Sequence, residues 1–467
     1  MKKVLILLFA LLFFLTLGYA GNIDFSGRVK LFTSLFLSQN KNGKYFTHET
    51  GEFAFKRLET RLKLAGYVTD NVSYGVRLDA FSRPDAIFNQ VSFPEASILG
   101  TPSATEPFEL SLYEGYIKIT NFLIENLDLT IGKQRIQWGT ADKMNVVDNL
   151  NPVDFANFFT FDPDYFAERR PQNAINLEYY ISDFTKIQLI WLLSRQYAPL
   201  PSGFTYMLMK NYNLPVYIES EKLLLRNTNY GLRFSTVFLN TDVGLSYYSG
   251  NYHLPVLYKI SQSPYWTPSQ YYKYPEKDIF GIDLSGEIHS IGWWAEFSYI
   301  KPEKIKGHLE TQILIGKKYL PVKKEFPVFE KGYYKWVIGA DYTIGIGNGI
   351  YLNAQYLHGF FDERDYSVLY EKYLGFKKGM FFGEIEDYLI TRAEYKMLED
   401  NLKIELGGIM EFAKKNAFSF IPSIEYRFSD AVIFQMGAFI VFGDEENTKF
   451  GVFKKDKLLY MLFKVDF

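Results

Sequence analysis

The amino-acid sequence contains no cysteine among its 467 residues. A disulfide-stapled scaffold, a thiolate zinc site and a cysteine nucleophile are therefore excluded. Long apolar runs are scarce as well: only one, near the N-terminus, has the character of a membrane helix, which excludes a bundle of such helices. The formal net charge of −2 argues against a nucleic-acid-binding protein, because such a protein carries a strongly basic face.

Aromatic residues, by contrast, are abundant. The chain has 36 tyrosines and 43 phenylalanines, although its hydrophobic share of 48% and charged share of 22% are ordinary. In a chain of average polarity, the hydrophobic core of a soluble domain does not account for so many aromatic side chains.

The first twenty residues match the pattern of an export signal. Lys2 and Lys3 form a basic start, the segment 4–17 is almost wholly apolar, and small residues occupy positions 18 and 20. We predict a signal peptide over residues 1–20, so that the mature chain, residues 21–467, leaves the cytoplasm. A membrane anchor is the alternative, although the run is short for a span.

Beyond residue 20 the dominant hydrophobic period is two. Leu62 and Leu64, for example, alternate with Arg61 and Lys63. Such alternation gives each strand one apolar face and one wet face. We find no amphipathic helical stretch of convincing length. The same pattern recurs at 23–35, 72–80, 187–193, 230–238, 334–344, 402–410, 418–428 and 432–440.

The connections between these segments alternate in length, and this asymmetry is typical of an up-and-down barrel that crosses an outer membrane. We predict an all-β, antiparallel transmembrane barrel over residues 21–467, with about 18 strands and 16 as the fallback. Rings near the short turns, such as Tyr67 and Phe238, would lie where hydrocarbon meets headgroups. A soluble β-sandwich is the alternative, but it does not explain the charged second face. The short connections fall near residues 70, 183, 241, 290, 347, 400 and 430, and the longest are 84–106, 139–172, 196–226, 250–278, 302–332 and 360–384.

The last segment, 459–467, is an amphipathic strand that ends on Phe467. Here the chain resembles bacterial outer-membrane proteins, whose closing strand ends in an aromatic residue. The resemblance implies that Phe467 is an assembly signal, that the barrel-assembly machinery is a partner, and that the protein resides in the outer membrane.

A second resemblance is local. The segment 113–117 leads to a strand that ends in Gly132-Lys133-Gln134 and Trp138-Gly139, and an Asn-Pro-x-Asp loop follows at 151–154. This stretch resembles a group of large porin-like barrels that are distantly similar to alginate-export channels. The resemblance covers roughly forty residues. It supports the prediction of a barrel more firmly than it supports any particular substrate.

The same stretch raises a question of register. If Leu129 and Ile131 face lipid, Lys133 and Arg135 would also face it, at about 2–4 kcal/mol each near the midplane. We expect a β-bulge at Gly132 to return them to the lumen. The alternative is that both residues already stand above the hydrocarbon.

Charged residues on the second face of the strands would line a water-filled channel and set its ion preference. An alternative is a salt-bridged network that only stiffens the wall. The predicted pore-lining residues are Arg28, Lys30, Arg57, Glu59, Arg61, Lys63, Arg77, Asp79, Arg392, Glu394, Glu425 and Arg427.

The third long loop, residues 139–171, is the candidate constriction. It combines many phenylalanines with acidic residues, so we expect it to fold inward, with its rings against the wall and its carboxylates facing the path. An outward, extracellular loop is the alternative. Calcium binding at 148–154 is less favoured than turn capping, because the ligand spacing is irregular. The charged residues of the predicted constriction loop are Asp142, Asp148, Asp154, Asp162, Asp164, Glu168, Arg169 and Arg170.

The favoured function is an outer-membrane porin-like channel for small-molecule or ion solutes. The expected partners are membrane lipid and the barrel-assembly machinery, but not nucleic acid. A homotrimer is one possible assembly. The first alternative is a non-conducting barrel that acts as a scaffold. A hydrolase is the second, disfavoured because only five histidines exist and none lies in a Gly-x-Ser-x-Gly context; His358, near Asp362, is the one candidate. We therefore predict no enzyme activity, no cofactor and no metal.

Overall fold

A computed structural model describes residues 23–41, 47–82, 108–158, 160–195, 197–199, 216–219, 228–263, 266–315, 318–369, 372 and 384–467. The predicted signal peptide, residues 1–20, lies outside the described residues and stays a prediction. Within these ranges, no helix is both long and apolar enough to cross a bilayer.

The described chain is almost entirely β-structure. Among the described residues, helix is limited to one turn at Phe155–Phe158, two 3-10 turns at Pro163–Tyr165 and Gly451–Phe453, and residues 368, 369 and 372. The strands are β1 (Ile23–Phe36), β2 (Phe53–Thr69), β3 (Val72–Ser82), β4 (Phe108–Ile119), β5 (Leu127–Gln134), β6 (Gln172–Ser182), β7 (Thr185–Leu192), β8 (Val216–Glu219), β9 (Asn229–Phe238), β10 (Thr241–Asn251), β11 (Val256–Ser263), β12 (Trp266–Lys273), β13 (Glu276–Ile288), β14 (Ile291–Pro302), β15 (Lys306–Ile315), β16 (Lys318–Pro327), β17 (Tyr333–Ile344), β18 (Ile350–His358), β19 (Asp387–Met397), β20 (Leu402–Phe412), β21 (Asn416–Ser429), β22 (Val432–Gly443) and β23 (Leu458–Asp466).

Eighteen of these strands close into one antiparallel barrel. Each barrel strand pairs with its neighbour along the chain, and β23 pairs with β1 from Phe36↔Leu458 to Arg28↔Asp466. Closure leaves no unpaired sheet edge, which lipid could not satisfy. The predicted fold class and the strand count of 18 are confirmed.

The alternation in sequence sets the two faces of the wall. On β1, Phe25 and Leu31 point outward and are 57% and 53% exposed. Lys30, the residue before Leu31, points inward and is 1% exposed. At one end the strands join through tight turns. At the turn 289–290, both His289 and Ser290 have positive φ, as two-residue hairpin turns require. We call this the short-turn end and the opposite one the long-loop end.

The long connections build a second sheet that the sequence did not indicate. Its strands β8, β11, β12, β15 and β16 come from segments expected to be loops, in the order β16-β15-β11-β12-β8. Three connections, after β7, β10 and β14, are long enough to pair with one another, with β11 and β15 joined in parallel. Pairing between loops is a long-range choice that local periodicity does not reveal.

The expected bulge at Gly132 is absent from the described strands β5 and β6. Their pairing runs without a shift from Leu127↔Tyr179 to Gln134↔Gln172. Gly132 instead has φ +132°, and an added Cβ would lie 2.3 Å from the Gly115 carbonyl oxygen. Lys133 therefore stays on the outward face at the strand end, where its Nζ donates to the Leu112 carbonyl at 2.6 Å.

Much of the barrel interior is a packed apolar core. Trp138, Leu150 and Phe155 come from the connection between β5 and β6, and they belong to one buried cluster with the wall residues Ile190 and Val337. The sequence predicted a water-filled lumen lined by charge, with one long loop folded inward. The structure differs in the extent of the apolar packing, because the buried cluster joins the loop rings to apolar side chains of the wall.

Candidate functional site

The site is built around the connection between β5 and β6, residues 135–171, which we call the inner loop. It enters the barrel at Trp138, whose Nε1 donates to Gln188 Oε1 on β7 at 2.8 Å. Opposite the ring lies Gly231 of β9, where an added Cβ would be 2.6 Å from Trp138. Trp138, the tryptophan of the segment 132–139, is therefore buried in the lumen. A hydrogen bond to Gln188 fixes its ring, and the absence of a side chain at Gly231 makes room for it.

Glu296 of β14 fixes the first turn of the inner loop. Its Oε1 accepts from Thr140 N at 2.7 Å and Ala141 N at 2.8 Å. Its Oε2 accepts from Val146 N at 2.8 Å and Val147 N at 3.3 Å. One buried carboxylate therefore satisfies several loop amides that have no strand partner.

Sequence reasoning missed Glu296. The available signal was a single acidic residue among aromatic residues, Trp294 and Phe297, on a strand whose other face is apolar. Such an acid on an inward position needs donors, but the sequence does not say that the donors are loop amides.

The Asp/Asn segment 148–154 is held by arginines and turn hydrogen bonds. Arg135 Nη2 lies 2.8 Å from Asp148, and Arg170 Nε lies 2.8 Å from Asp154. Burial alone lowers the pKa of Arg170, but the Asp154 carboxylate outweighs it and holds that pKa above its usual value. Asp154 Oδ1 also accepts from Asn157 N at 3.1 Å, which is ordinary capping.

No group of three His, Cys, Asp or Glu side chains is placed to hold a metal ion in the described ranges. The Asp148 carboxylate additionally lies 3.6 Å from Arg169 Nε. Its charge is thus already balanced by guanidinium groups.

The far half of the inner loop is anchored to the wall of β1 and β2. Lys30 Nζ lies 2.8 Å from Asp162 and 2.9 Å from Asp164. Arg57 pairs with Asp162 as well, and its Nη1 donates to Asn157 Oδ1 at 2.8 Å. Burial acts to raise the pKa of Asp164, but Lys30 and then Lys464 outweigh it and hold that pKa well below its usual value.

A second layer of charge continues along β2, β3 and β4. Arg61 Nε and Arg77 Nη2 lie 3.1 Å and 2.7 Å from the buried Asp79. The Arg77 guanidinium also stacks over the Tyr113 ring at 3.7 Å. Tyr113 OH donates to Glu168 of the inner loop at 2.7 Å, so this layer too connects wall and loop.

The structure corrects the expectation for four of the twelve predicted pore-lining residues. Lys30, Arg57, Glu59 and Asp79 are at most 3% exposed, so they do not line water. Lys30 and Arg57 pair with the inner loop, whereas Glu59 and Asp79 pair with basic residues of the wall. The alternation in sequence alone did not identify these partners. The role of the other eight residues in permeation stays a prediction.

The opposite wall is more open. Arg392 lies 3.3 Å from Asp142 of the inner loop and 3.1 Å from Glu394. Gln355 Nε2 on β18 donates to the Asp142 carbonyl at 2.9 Å. The inner loop therefore crosses the lumen and touches both walls.

Between the inner loop and strands β18–β23 a gap of about 140 Å³ remains. Phe161 of the loop stacks on Phe439 of β22 with ring centroids 3.9 Å apart, and Phe166 and Tyr460 also line the gap. We expected rings against the wall and carboxylates towards the path. Phe161 does lie against the wall, but most loop carboxylates pair with basic side chains rather than facing the gap. Asp142 and Asp162 are the acids of the inner loop that line it.

The histidine singled out from sequence lies away from this site. His358 Nδ1 is 2.8 Å from Asp387, not from Asp362 or Asp365, and its ring stacks with Trp336. This is a structural contact among aromatic residues at the strand end.

A further buried network closes the long-loop end. Glu363 accepts from Lys449 and from Tyr388 OH, and Glu411 accepts from the backbone N of Lys449 at 2.7 Å and of Phe450 at 2.9 Å. Sequence reasoning did not single out these residues. They fix the connections after β18 and β22 over the barrel.

A closed 18-stranded barrel with a connection folded across its lumen has the fold of outer-membrane porins. Acinetobacter baumannii OccAB3 is similar at a TM-score of 0.50 and 10% identity, covering 96% of this chain and 99% of that one. OccAB1 of the same organism is similar at 0.50 and 9%, covering 96% of each chain. At such low identity the likeness concerns the fold alone.

The chain belongs to the family DUF1302, described as a protein of unknown function, whose profile matches residues 103–384. No curated protein matches it.

Proposed function

We propose that the protein is a selective outer-membrane channel for small solutes, with the inner loop as its constriction. The observation that carries the proposal is the inner loop tethered across a closed barrel, by Lys30 and Arg57 on one side and Arg392 on the other. A tethered loop fixes the width of the remaining gap. Residues 113–154 resemble barrels that are distantly similar to alginate-export channels, but we do not propose alginate as the solute.

The gap favours solutes that combine an apolar part with a polar one. Phe161, Phe166 and Phe439 supply apolar surface, and Arg392, Asp142 and Glu405 supply charge. Confined charge is less well screened than charge in bulk water, so ions passing the gap feel it. Arg28, Arg61, Lys63, Arg77, Glu394, Glu425 and Arg427 are the remaining candidates for the lining.

The test is single-channel recording in a planar bilayer under a salt gradient. Arg392→Gln leaves the negative charges of Asp142 and Glu394 without a partner beside the gap. The reversal potential should therefore move towards the value of a cation-selective channel. Lys301→Gln is the matched control, because Lys301 carries the same charge on the outward face of β14, 65% exposed. An unchanged reversal potential in Arg392→Gln, or an equal shift in the control, contradicts a path beside Arg392.

A second candidate, a non-conducting barrel, is favoured by the extent of the buried core within the lumen. The same recording separates the two. A parent protein that folds and inserts without any conductance supports the scaffold and overturns the channel.

Export by a signal peptide, insertion by the barrel-assembly machinery through Phe467, and residence in the outer membrane complete the proposal. The porin-like fold supports the membrane placement. A homotrimer is the proposed assembly to test by native mass measurement in detergent. No catalytic residue is proposed.

A further inference from the structure

A groove of about 610 Å³ lies on the outer surface of the barrel at its long-loop end. Its floor is formed by Ser249, Asp278 and Lys301, which stand opposite one another on β10, β13 and β14. The connections from β14 to β15 and from β16 to β17 supply its upper wall through residues 303–304 and 329–332. The groove therefore lies where the barrel wall meets the second sheet.

A row of aromatic rings crosses the wall directly below this groove. On neighbouring strands Phe280 pairs with Tyr247 and with Tyr299, and Tyr299 pairs with Tyr334. Phe280, Tyr299 and Tyr334 are exposed on the outer face. Aromatic rows of this kind lie where hydrocarbon meets headgroups. The floor of the groove begins two residues further along each strand, about 7 Å towards the long loops, which is the level of the headgroups.

Two acids of the groove are already engaged by the protein. Tyr247 OH donates to Asp278 at 2.9 Å. Lys273 Nζ of β12 lies 2.9 Å from Glu303, which also accepts from the backbone N of Glu276 at 3.2 Å. These contacts satisfy much of the hydrogen-bonding capacity of the Asp278 and Glu303 carboxylates.

Three other charged side chains of the groove, Lys304, Glu330 and Lys331, are exposed. Within the described ranges, none of the three forms an ion pair at 4.0 Å or less. Lys301 on the floor is also loosely held, since its Nζ approaches Asp278 only to 4.0 Å. The groove therefore offers unpaired charges of both signs. A ligand of one sign would be repelled by part of it, whereas a ligand that carries both signs is attracted by all of it.

We infer that the groove binds the phosphoethanolamine headgroup of a membrane lipid. The phosphate would accept charge-assisted hydrogen bonds from Lys304 and Lys331, and the ammonium would donate to Glu330. The acyl chains would run over the exposed rings of Phe280 and Tyr299 towards the hydrocarbon. A phosphocholine headgroup fits less well, because its methylated ammonium has no N–H to donate.

The inference rests on the proposed placement in the outer membrane, but not on conduction. Strands β15 and β16 of the second sheet connect to the barrel through the upper wall of the groove. A bound headgroup would hold these connections, residues 303–304 and 329–332, at the membrane surface. The lipid would thereby help to fix the second sheet relative to the barrel.

Native mass spectrometry of the purified full-length barrel in detergent tests the groove without requiring conduction. The probes are three lipids with identical dioleoyl chains: phosphatidylethanolamine, phosphatidylethanol, which has the phosphate without the ammonium, and diacylglycerol, which has neither. Phosphatidylethanolamine should bind most tightly, phosphatidylethanol about fivefold more weakly, and diacylglycerol no more than background. Equal binding of the first two lipids, or displacement of phosphatidylethanolamine by equimolar inorganic phosphate, overturns the inference.

Two variants separate the two charges of the headgroup. Lys331→Gln should weaken the binding of phosphatidylethanolamine and of phosphatidylethanol about fivefold each, whereas Glu330→Gln should weaken only the binding of phosphatidylethanolamine. Lys324→Gln on β16 and Glu287→Gln near the short-turn end of β13 are the matched controls, because both residues are exposed outside the groove.

Heat-modifiable migration on gels establishes that each variant is folded. The inference is overturned if the folded Lys331→Gln and Glu330→Gln variants bind both lipids as the parent does, or if the controls lose binding equally. Selective lipid binding without conductance removes only the channel, whereas conductance without selective lipid binding removes only this site.

Discussion

Single inward carboxylates organise the lumen of this barrel. Glu296 gathers loop amides, Asp162 gathers Lys30 and Arg57, and Asp79 gathers Arg61 and Arg77. The alternation in sequence places Glu296 and Asp79 inside correctly, because side chains on a strand change face at every residue. It does not identify their partners, since most of those lie on another strand or, as for Glu296 and Asp162, more than a hundred residues away in the sequence.

Glu296→Gln should loosen the inner loop. An amide offers one oxygen where the carboxylate offers two, and its NH2 group would face backbone donors, which costs about 1–3 kcal/mol. We expect the folded band on unboiled gels to disappear at a lower temperature. Glu287→Gln on β13, an exposed position, is the control; an equal change in both variants contradicts the role of Glu296.

Asp164 makes the tether sensitive to acid. Its folded-state pKa lies below the usual 3.8, so its contribution is complete above that value and is lost as the pH falls through the folded pKa. Open-channel current should therefore stay constant from neutral pH down to about pH 4 and change only below it. Asp164→Asn should show the altered current already at neutral pH, and a parent current that changes near pH 6 contradicts this assignment.

At the scale of elements, strands and turns followed from period and spacing. The short turns fall where they were expected, and strand β23 ends one residue before Phe467 as the amphipathic pattern indicated. The second sheet did not follow, because strand pairing between loops depends on which loops meet above the barrel. The bulge expected at Gly132 was wrong because the strand simply ends two residues later, at Gln134.

Deleting Phe467 should reduce insertion of the barrel. Its backbone exchanges hydrogen bonds with Gly27 at 2.7 and 3.0 Å, and its ring lies 5.9 Å from Phe25 on the outer face. The deletion removes the last rung of the β1–β23 seam that closes the sheet. Pulse-labelled protein should reach the outer membrane in smaller amounts at equal synthesis, with Phe428→Ala as the control; equal accumulation contradicts the assembly role.

At the scale of the whole molecule, the sequence predicted that the strands close into a barrel, but it did not predict how far side chains and the inner loop fill the lumen. A chain whose strands are apolar on one side and charged on the other has to close in lipid, which the sequence shows. Whether the lumen is open depends on the inner loop, and its aromatic residues fit either an inward or an outward position. Contacts such as Trp138 with Gly231 decide the matter, and they join residues on separate elements.

The decisive measurement is single-channel conductance after shortening the inner loop. Replacing Phe155 to Tyr165 by a Gly-Gly-Ser linker removes Asp162, the partner of Lys30 and Arg57, together with Phe161, the ring against Phe439. A Gly-Ser segment of the original length at the same place is the control, since it keeps the bulk of the chain and removes the anchors.

The shortened protein should conduct at a clearly higher level than the parent, and the equal-length control should give an intermediate, noisier current. Both must first migrate as folded barrels on unboiled gels. An inserted, folded, shortened barrel that conducts no more than the parent would contradict the inner loop as the constriction of this channel.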